Sequence, residues 1–218
     1  KMPYDPQKDL APITLGVKAP QYLVVNPKLG INSLKDLVTK AKEDPNKYSY
    51  GSIAMGSASH LTMEMFKEAA GINVTHVPYK GAGPAVTDLI SGQIHMGFFV
   101  PGNVQQFAKT GQVKLIASTG TTRFPSTPEV PTVAESGYSN FEATSWFRFL
   151  ALGATPRNII DRYNREIVKI LKSPDIRAKL HEMEFEVVAG TPEQFTGWVR
   201  SEISKWGKVI KSTGAKAE

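Results

Sequence analysis

Residues 72–99 read INVTHVPYKGAGPAVTDLISGQIHMGFF. An apolar run, INVTHVPY, ends in a glycine turn, GPAVTDLISG then repeats at helical spacing as far as Gly92, and a second apolar run, IHMGFFV, starts at Ile94. Strand, helix and strand in that order make the crossover that parallel neighbours in a sheet require. The pattern extends on both sides. Upstream lie YLVVN from Tyr22, SLKDLVTKAKED from Ser33, YSYGS from Tyr48 and a helix after Gly56; downstream lie VQQFAKTG from Val104 and VKLIAST from Val113. This alternation predicts an α/β fold with a parallel or mostly parallel sheet covered by helices. Helix ends are marked as well: Ser33 with Asp36 reads as a capping box, Gly71 and Gly92 as C′ glycines, and Thr191-Pro192 with Gln194 as an N-cap, N1 proline and box partner.

Between Thr121 and Ser139 the pattern gives way to TTRFPSTPEVPTVAESGYS, a proline-rich connector expected to hold one short helix near Val133. Beyond it come a strand in FEATSWFRFLALG, helices at 156–172 and 174–182, a strand in FEVVAG, and a last helix from Pro192. Phe195, Trp198, Val199, Trp206 and Val209 share one face of that helix and read as core, since a cofactor box would need polar partners.

The bulk numbers exclude several classes of function. The 218 residues are 41% hydrophobic, enough for one large domain or two small lobes. Twenty-six basic side chains against 20 acidic give a net charge of +6, spread without a Lys/Arg block, so a mild preference for anions is expected and no nucleic acid. There is no cysteine, which removes disulfide and thiolate chemistry. No segment has the length of a membrane span, and KMPYDPQKDLAP has no signal-peptide pattern.

Four loops follow expected strands: GSIAMGSASH after Tyr50, KGAGP after Tyr79, VPGN after Phe99 and TGTTR after Ser118. In an open α/β sheet such loops line one crevice at the carboxyl ends of the strands. GSAS falls at a helix start, where two readings stand side by side: a serine that caps the helix, or a cradle of N–H groups and hydroxyls for an anion. Gly81 and Gly83 bring a second helix start to the same place, which points to a carboxylate or phosphate. Catalysis finds little support. GSASH is not the G-x-S-x-G elbow of a hydrolase, no metal-ligand spacing occurs, and GSIAMG lacks the lysine of a phosphate loop. His60, His76 and His95 read as histidines satisfied by neighbouring backbone. Tyr79-Lys80, just before the glycine turn, is placed for a pocket.

MPYDPQKDLAPITLGV, GSASHL, HVPYKGAGPAVTDLISGQI, PSTPEVPTVAESGY, SWF and GTPEQFTGWVRSEISKWGKVIKSTGAK resemble, nearly end to end, the Bug family, the receptors of tripartite tricarboxylate transporters. The resemblance implies a type II-like periplasmic binding protein: two α/β lobes with mixed, mostly parallel sheets and a hinge, closing on a di-, tri- or aromatic carboxylate and delivering it to membrane permease subunits. It implies no enzyme, no cofactor, no metal and no membrane insertion. Carried over onto this sequence, Ser57, Ser59 and His60 are the expected carboxylate ligands, with Tyr79, Lys80 and Gly81 in the adjoining loop. Phe99 stands where relatives often carry an acidic residue and is expected as an aromatic wall, disfavouring amino-acid ligands. Arg148 stands where they carry a small residue and is expected either to pair with a distal carboxylate or to point to solvent. Residues 20–125 would form a nearly complete second lobe, and residues 1–19 with 126–218 part of a first lobe whose N-terminal portion is missing. Alternatives from other classes are a ligand-sensing effector domain of a cytoplasmic transcription regulator and a serine hydrolase using Ser57 and His60.

Overall fold

A computed structural model describes residues 3–215. The described residues divide into two compact units, 3–19 with 146–205 and 20–145 with 206–215. The larger unit contains β2 (Tyr22–Val25), α1 (Leu34–Glu43), β3 (Ser49–Ser52), α2 (Ala58–Ala70), β4 (Thr75–Pro78), α3 (Ala82–Ser91), β5 (Met96–Phe99), α4 (Pro101–Lys109) and β6 (Lys114–Ser118). Its five strands run in the order β4-β3-β5-β2-β6. β3 is parallel to both β4 and β5, whereas β2 is antiparallel to β5 and β6. The sheet is therefore mixed and mostly parallel, as the alternation of elements implies.

Side chains that alternate along these strands fill two cores. Leu23, Val25, Tyr50, Met96 and Phe98 pack with Leu34 and Leu37 of α1 and Met63 and Phe66 of α2. Tyr22, Val24 and Phe99 pack with Ala85 and Leu89 of α3 and Val104 of α4. Helices thus cover both faces, which a sheet buried on both sides requires. The central strands meet closely at glycine: a Cβ on Gly97 would lie 2.9 Å from the Gly51 carbonyl and 2.5 Å from Cε2 of Phe99.

Helix ends follow the sequence signals. Ser33 Oγ accepts from Asp36 N–H at 3.0 Å, Gly71 and Gly92 take left-handed C-cap conformations, and Thr191 and Gln194 exchange both bonds of a capping box. Near Val133 the expected helix is replaced by consecutive turns. Thr132 and Glu135 do form the reciprocal pair that opens a helix, but Gly137 at φ +105° stops it within a turn. The lobe boundary also differs from expectation. Residues 126–145 and 206–215 group with the larger unit, because Val133, Phe141 and Ala143 enter its first core and Phe66 meets Tyr138 and Phe141 edge to face.

In the smaller unit β1 (Leu10–Pro20) lies between β7 (Thr144–Leu152) and β8 (Glu186–Val187), antiparallel to β8. With it go α5 (Arg157–Leu171), α6 (Pro174–Glu182) and the first part of α7 (Pro192–Thr213). Asn164 Nδ2 ties α5 to this sheet by donating to the carbonyls of Ile13 and Gly190 at 2.8 and 2.9 Å.

Candidate functional site

The parallel strands β3, β4 and β5 each run into a loop and then a helix start, so α2, α3 and α4 begin at one edge of the sheet. The β3 and β4 loops are bonded to each other: Tyr79 N–H donates to the Ser52 carbonyl and Gly81 N–H to the Ile53 carbonyl, both at 2.9 Å. These bonds carry the β3–β4 ladder past the sheet and tie the N-cap of α3 to the loop that leads into α2.

Within the first loop both serine hydroxyl protons have an acceptor. Ser57 caps α2 in extended conformation, its Oγ accepting from His60 N–H, while its own hydroxyl donates to the Ala54 carbonyl at 2.7 Å. That proton being used, the 3.0 Å contact between the two serine hydroxyls must be donated by Ser59, whose Oγ also accepts from Ile53 N–H at 3.0 Å. His60 turns its ring back under the loop, and Nδ1 accepts from Gly56 N–H at 3.0 Å. Ser59 and His60 are 3% and 4% exposed. The three side chains expected as ligands thus build the loop: the serines spend their hydroxyl protons on it, whereas His60 lends it an acceptor and keeps its Nε2 hydrogen. What remains outward is backbone N–H at the first turn of α2, where a helix has no internal acceptors to offer.

The second loop is bare by design of its residues. Gly81, the N-cap of α3 at φ +112°, makes no side-chain cap bond, and a Cβ at Gly81 or Gly83 would meet nothing within 4 Å. Tyr79 faces inward, its hydroxyl donating to Asp88 Oδ2 at 2.7 Å, and burial with that carboxylate pushes its pKa up to about 12. Lys80 is exposed beside it. α4 likewise starts at Val100-Pro101 without a side-chain cap.

Phe99 places differently from expectation, and Arg148 is exposed, the second of its two expected readings. Phe99 is 1% exposed and lies in the core among Tyr22, Ala85 and Val104, so it presents no wall to a ligand; as the last residue of β5 its ring folds back over Gly97. Arg148 lies on β7 of the smaller unit, exposed, with its guanidinium carbon 4.8 Å from the centre of the Trp146 ring. Among the described residues no group of three His, Cys, Asp or Glu side chains could hold a metal ion, and no helix is long and apolar enough to cross a membrane.

Tyr50 and His76, not foreseen as part of a site, join His60. The rings of Tyr50, His76 and His60 stack in a column, 4.7 Å and 4.1 Å between successive centres and within 16° and 8° of parallel. Tyr50 O–H donates to Glu64 at 2.6 Å, and Lys67 meets the same carboxylate oxygen at 2.8 Å. The legible signal was the spacing of His60, Glu64 and Lys67, which share one face of α2. His95 sits apart, its Nδ1 accepting from Ser49 N–H at 3.0 Å, as expected of a histidine satisfied by backbone.

A family model described as tripartite tricarboxylate transporter family receptor matches residues 1–215. Among curated proteins the chain is 34% identical over 215 residues to Protein BugT of Bordetella pertussis, an alignment covering 99% of this chain and 66% of BugT. The chain therefore spans just under two thirds of that relative's length. Among solved structures it resembles R. palustris Rpa4515 with adipate (33% identity, TM-score 0.95, all of this chain and 73% of the other). It also resembles MatC of Rhodopseudomonas palustris with bound malate (25% identity, TM-score 0.88, 96% and 72% covered).

Proposed function

The chain belongs to the tripartite tricarboxylate transporter receptor family, and from that premise we propose that it is a periplasmic solute-binding receptor for a small dicarboxylate, which it delivers to a membrane permease. One observation carries the assignment to this part of the molecule. The N-cap of α3, Gly81, is bonded to Ile53 in the loop that leads into α2, and the α3 start has open space and no side-chain cap. Backbone N–H groups with helix dipoles behind them suit a carboxylate, and exposed Lys80 adds positive potential. Ser57, Ser59 and His60 act here by holding the loop, and Gly81 by letting the ligand approach the backbone. The adipate and malate in the two similar structures support a diacid. Burial of Phe99 removes the reason to favour an aromatic one.

Calorimetric titration with adipate, malate and the neutral diamide of adipate tests this reading. A diacid is expected to bind and the diamide is not. At a hundredfold excess over Kd, the bound diacid should stabilise the fold by about 2.7 kcal/mol. Failure of both diacids, or equal binding of the diamide, would overturn it.

A further inference from the structure

His76 lies on β4, outside the loop, yet it is joined to it by an unbroken set of contacts. Its Nε2 is 2.7 Å from Ser52 Oγ, and that hydroxyl donates to the Ala54 carbonyl at 3.1 Å, so His76 is the donor to Ser52. The imidazole is stacked with Tyr50 and with His60, 4.7 and 4.1 Å between centres, and these two rings are themselves 6.5 Å apart. His60 in turn must be unprotonated at Nδ1, because that atom accepts from Gly56 N–H. Two parallel imidazoles 4.1 Å apart cannot both be cations without strong repulsion, and a proton on His60 Nδ1 would turn the Gly56 acceptor into a second donor.

We propose that His76 is a positioning residue for the carboxylate loop, fixing the His60 ring that holds Gly56, and that the loop keeps its shape only while both imidazoles are uncharged. The proposal rests on the assignment of residues 53–60 to carboxylate binding made above. The groups facing the pair are Tyr50 and Ser52 from β3 and Glu64 and Lys67 from α2. Burial, the largest influence, favours the neutral state of both rings; Lys67 acts the same way and Glu64 opposes it. Burial and the neighbouring His60 lower the His76 pKa to about 4. A receptor built this way is competent at neutral pH and loosens its ligand loop in acid.

The test follows both histidine rings and the Gly56 amide by NMR through an acid titration of the ligand-free chain, with adipate affinity measured at pH 7. In the wild-type chain the His60 ring and the Gly56 amide should change together, at a midpoint below the ordinary histidine value. His76→Ala should raise the His60 midpoint, increase Gly56 amide exchange, and weaken adipate about tenfold through loss of loop order. His76→Phe, which keeps a stacked ring, should restore Gly56 protection and affinity to within a factor of about two. If the wild-type chain binds neither adipate nor malate at pH 7, the carboxylate reading falls and the place of His76 in binding with it. If it binds them while Gly56 responds neither to acid nor to His76→Ala, the positioning proposal alone is overturned. The wild-type titration decides this even if His76→Ala does not fold.

Discussion

At Gly83 affinity is expected to fall with little change in stability. A Cβ there meets nothing beyond its chain neighbours, and the position lies in the first turn of α3, so Gly83→Asp puts a carboxylate where the helix dipole welcomes one. The dipole returns about 0.3–1 kcal/mol against the crowding of a non-glycine residue before Pro84, while a carboxylate ligand meets like charge at its donors and should bind at least about tenfold more weakly. Thermal melts and adipate titrations on the same preparation check both. Ser57 should behave in the contrary way. Its hydroxyl is spent on Ala54 and on capping α2, so Ser57→Ala should cost about 1 kcal/mol, or roughly 2–4 °C in Tm, with a smaller loss of affinity than Gly83→Asp. An affinity loss with an unchanged melting temperature would make Ser57 a direct ligand instead. That distinction could not be read from GSASH, since a capping serine and a ligating serine occupy the same position in the sequence; what separates them is where the single hydroxyl proton goes.

At the level of elements the sequence was informative wherever period and punctuation agreed. The core strands of the larger unit and the helices from α1 to α4 follow from apolar runs, capping pairs and C′ glycines because those signals act within one or two turns. The turns near Val133 escaped because a correct opening pair, Thr132 with Glu135, is cancelled by Gly137 a few residues on. Phe99 escaped because the facing of a strand's last residue is decided by helices packed on it from elsewhere in the chain. The histidine column escaped because it joins β3, β4 and α2 across 26 residues of sequence, although His60, Glu64 and Lys67 were visible as one helix face. That column sets a pH dependence of stability. The folded His76 holds its proton only below about 4, whereas the unfolded side chain takes one up at its ordinary value of 6.5. Between these values the unfolded state binds more protons, so stability should be fullest above about 6.5 and decline as pH falls toward 4. His60 and His95, also lowered chiefly by burial, act in the same sense. Denaturant midpoints measured from pH 7.5 down to 4 should show this slope, and His76→Phe should flatten it. A slope equal in both proteins would assign the effect to other groups.

At the scale of the whole chain the two units differ in how much apolar surface they bury. The larger unit has two cores, whereas in the smaller one Phe147, Phe149, Leu152, Ile159, Tyr163 and Ile170 are exposed, Leu152 at 74%. Exposed apolar side chains in that number drive association, so light scattering should show mass rising with concentration, and Tyr163→Lys with Ile170→Lys should reduce it. The same imbalance predicts unfolding in two steps, with the smaller unit opening first. Two of the three tryptophans, Trp146 and Trp198, belong to the smaller unit, and their fluorescence should report that step. The larger unit carries its own marker in Tyr50. With its ring wholly buried and its hydroxyl held by Glu64, this phenol has its pKa pushed far up and cannot lose its proton while the sheet is intact. It should be missing from the tyrosinate absorbance that grows as the solution is made alkaline, to which Tyr79 comes late, and it should join abruptly when the larger unit opens. One ultraviolet band thereby becomes a clock for the opening of the larger unit, with no label attached to the protein.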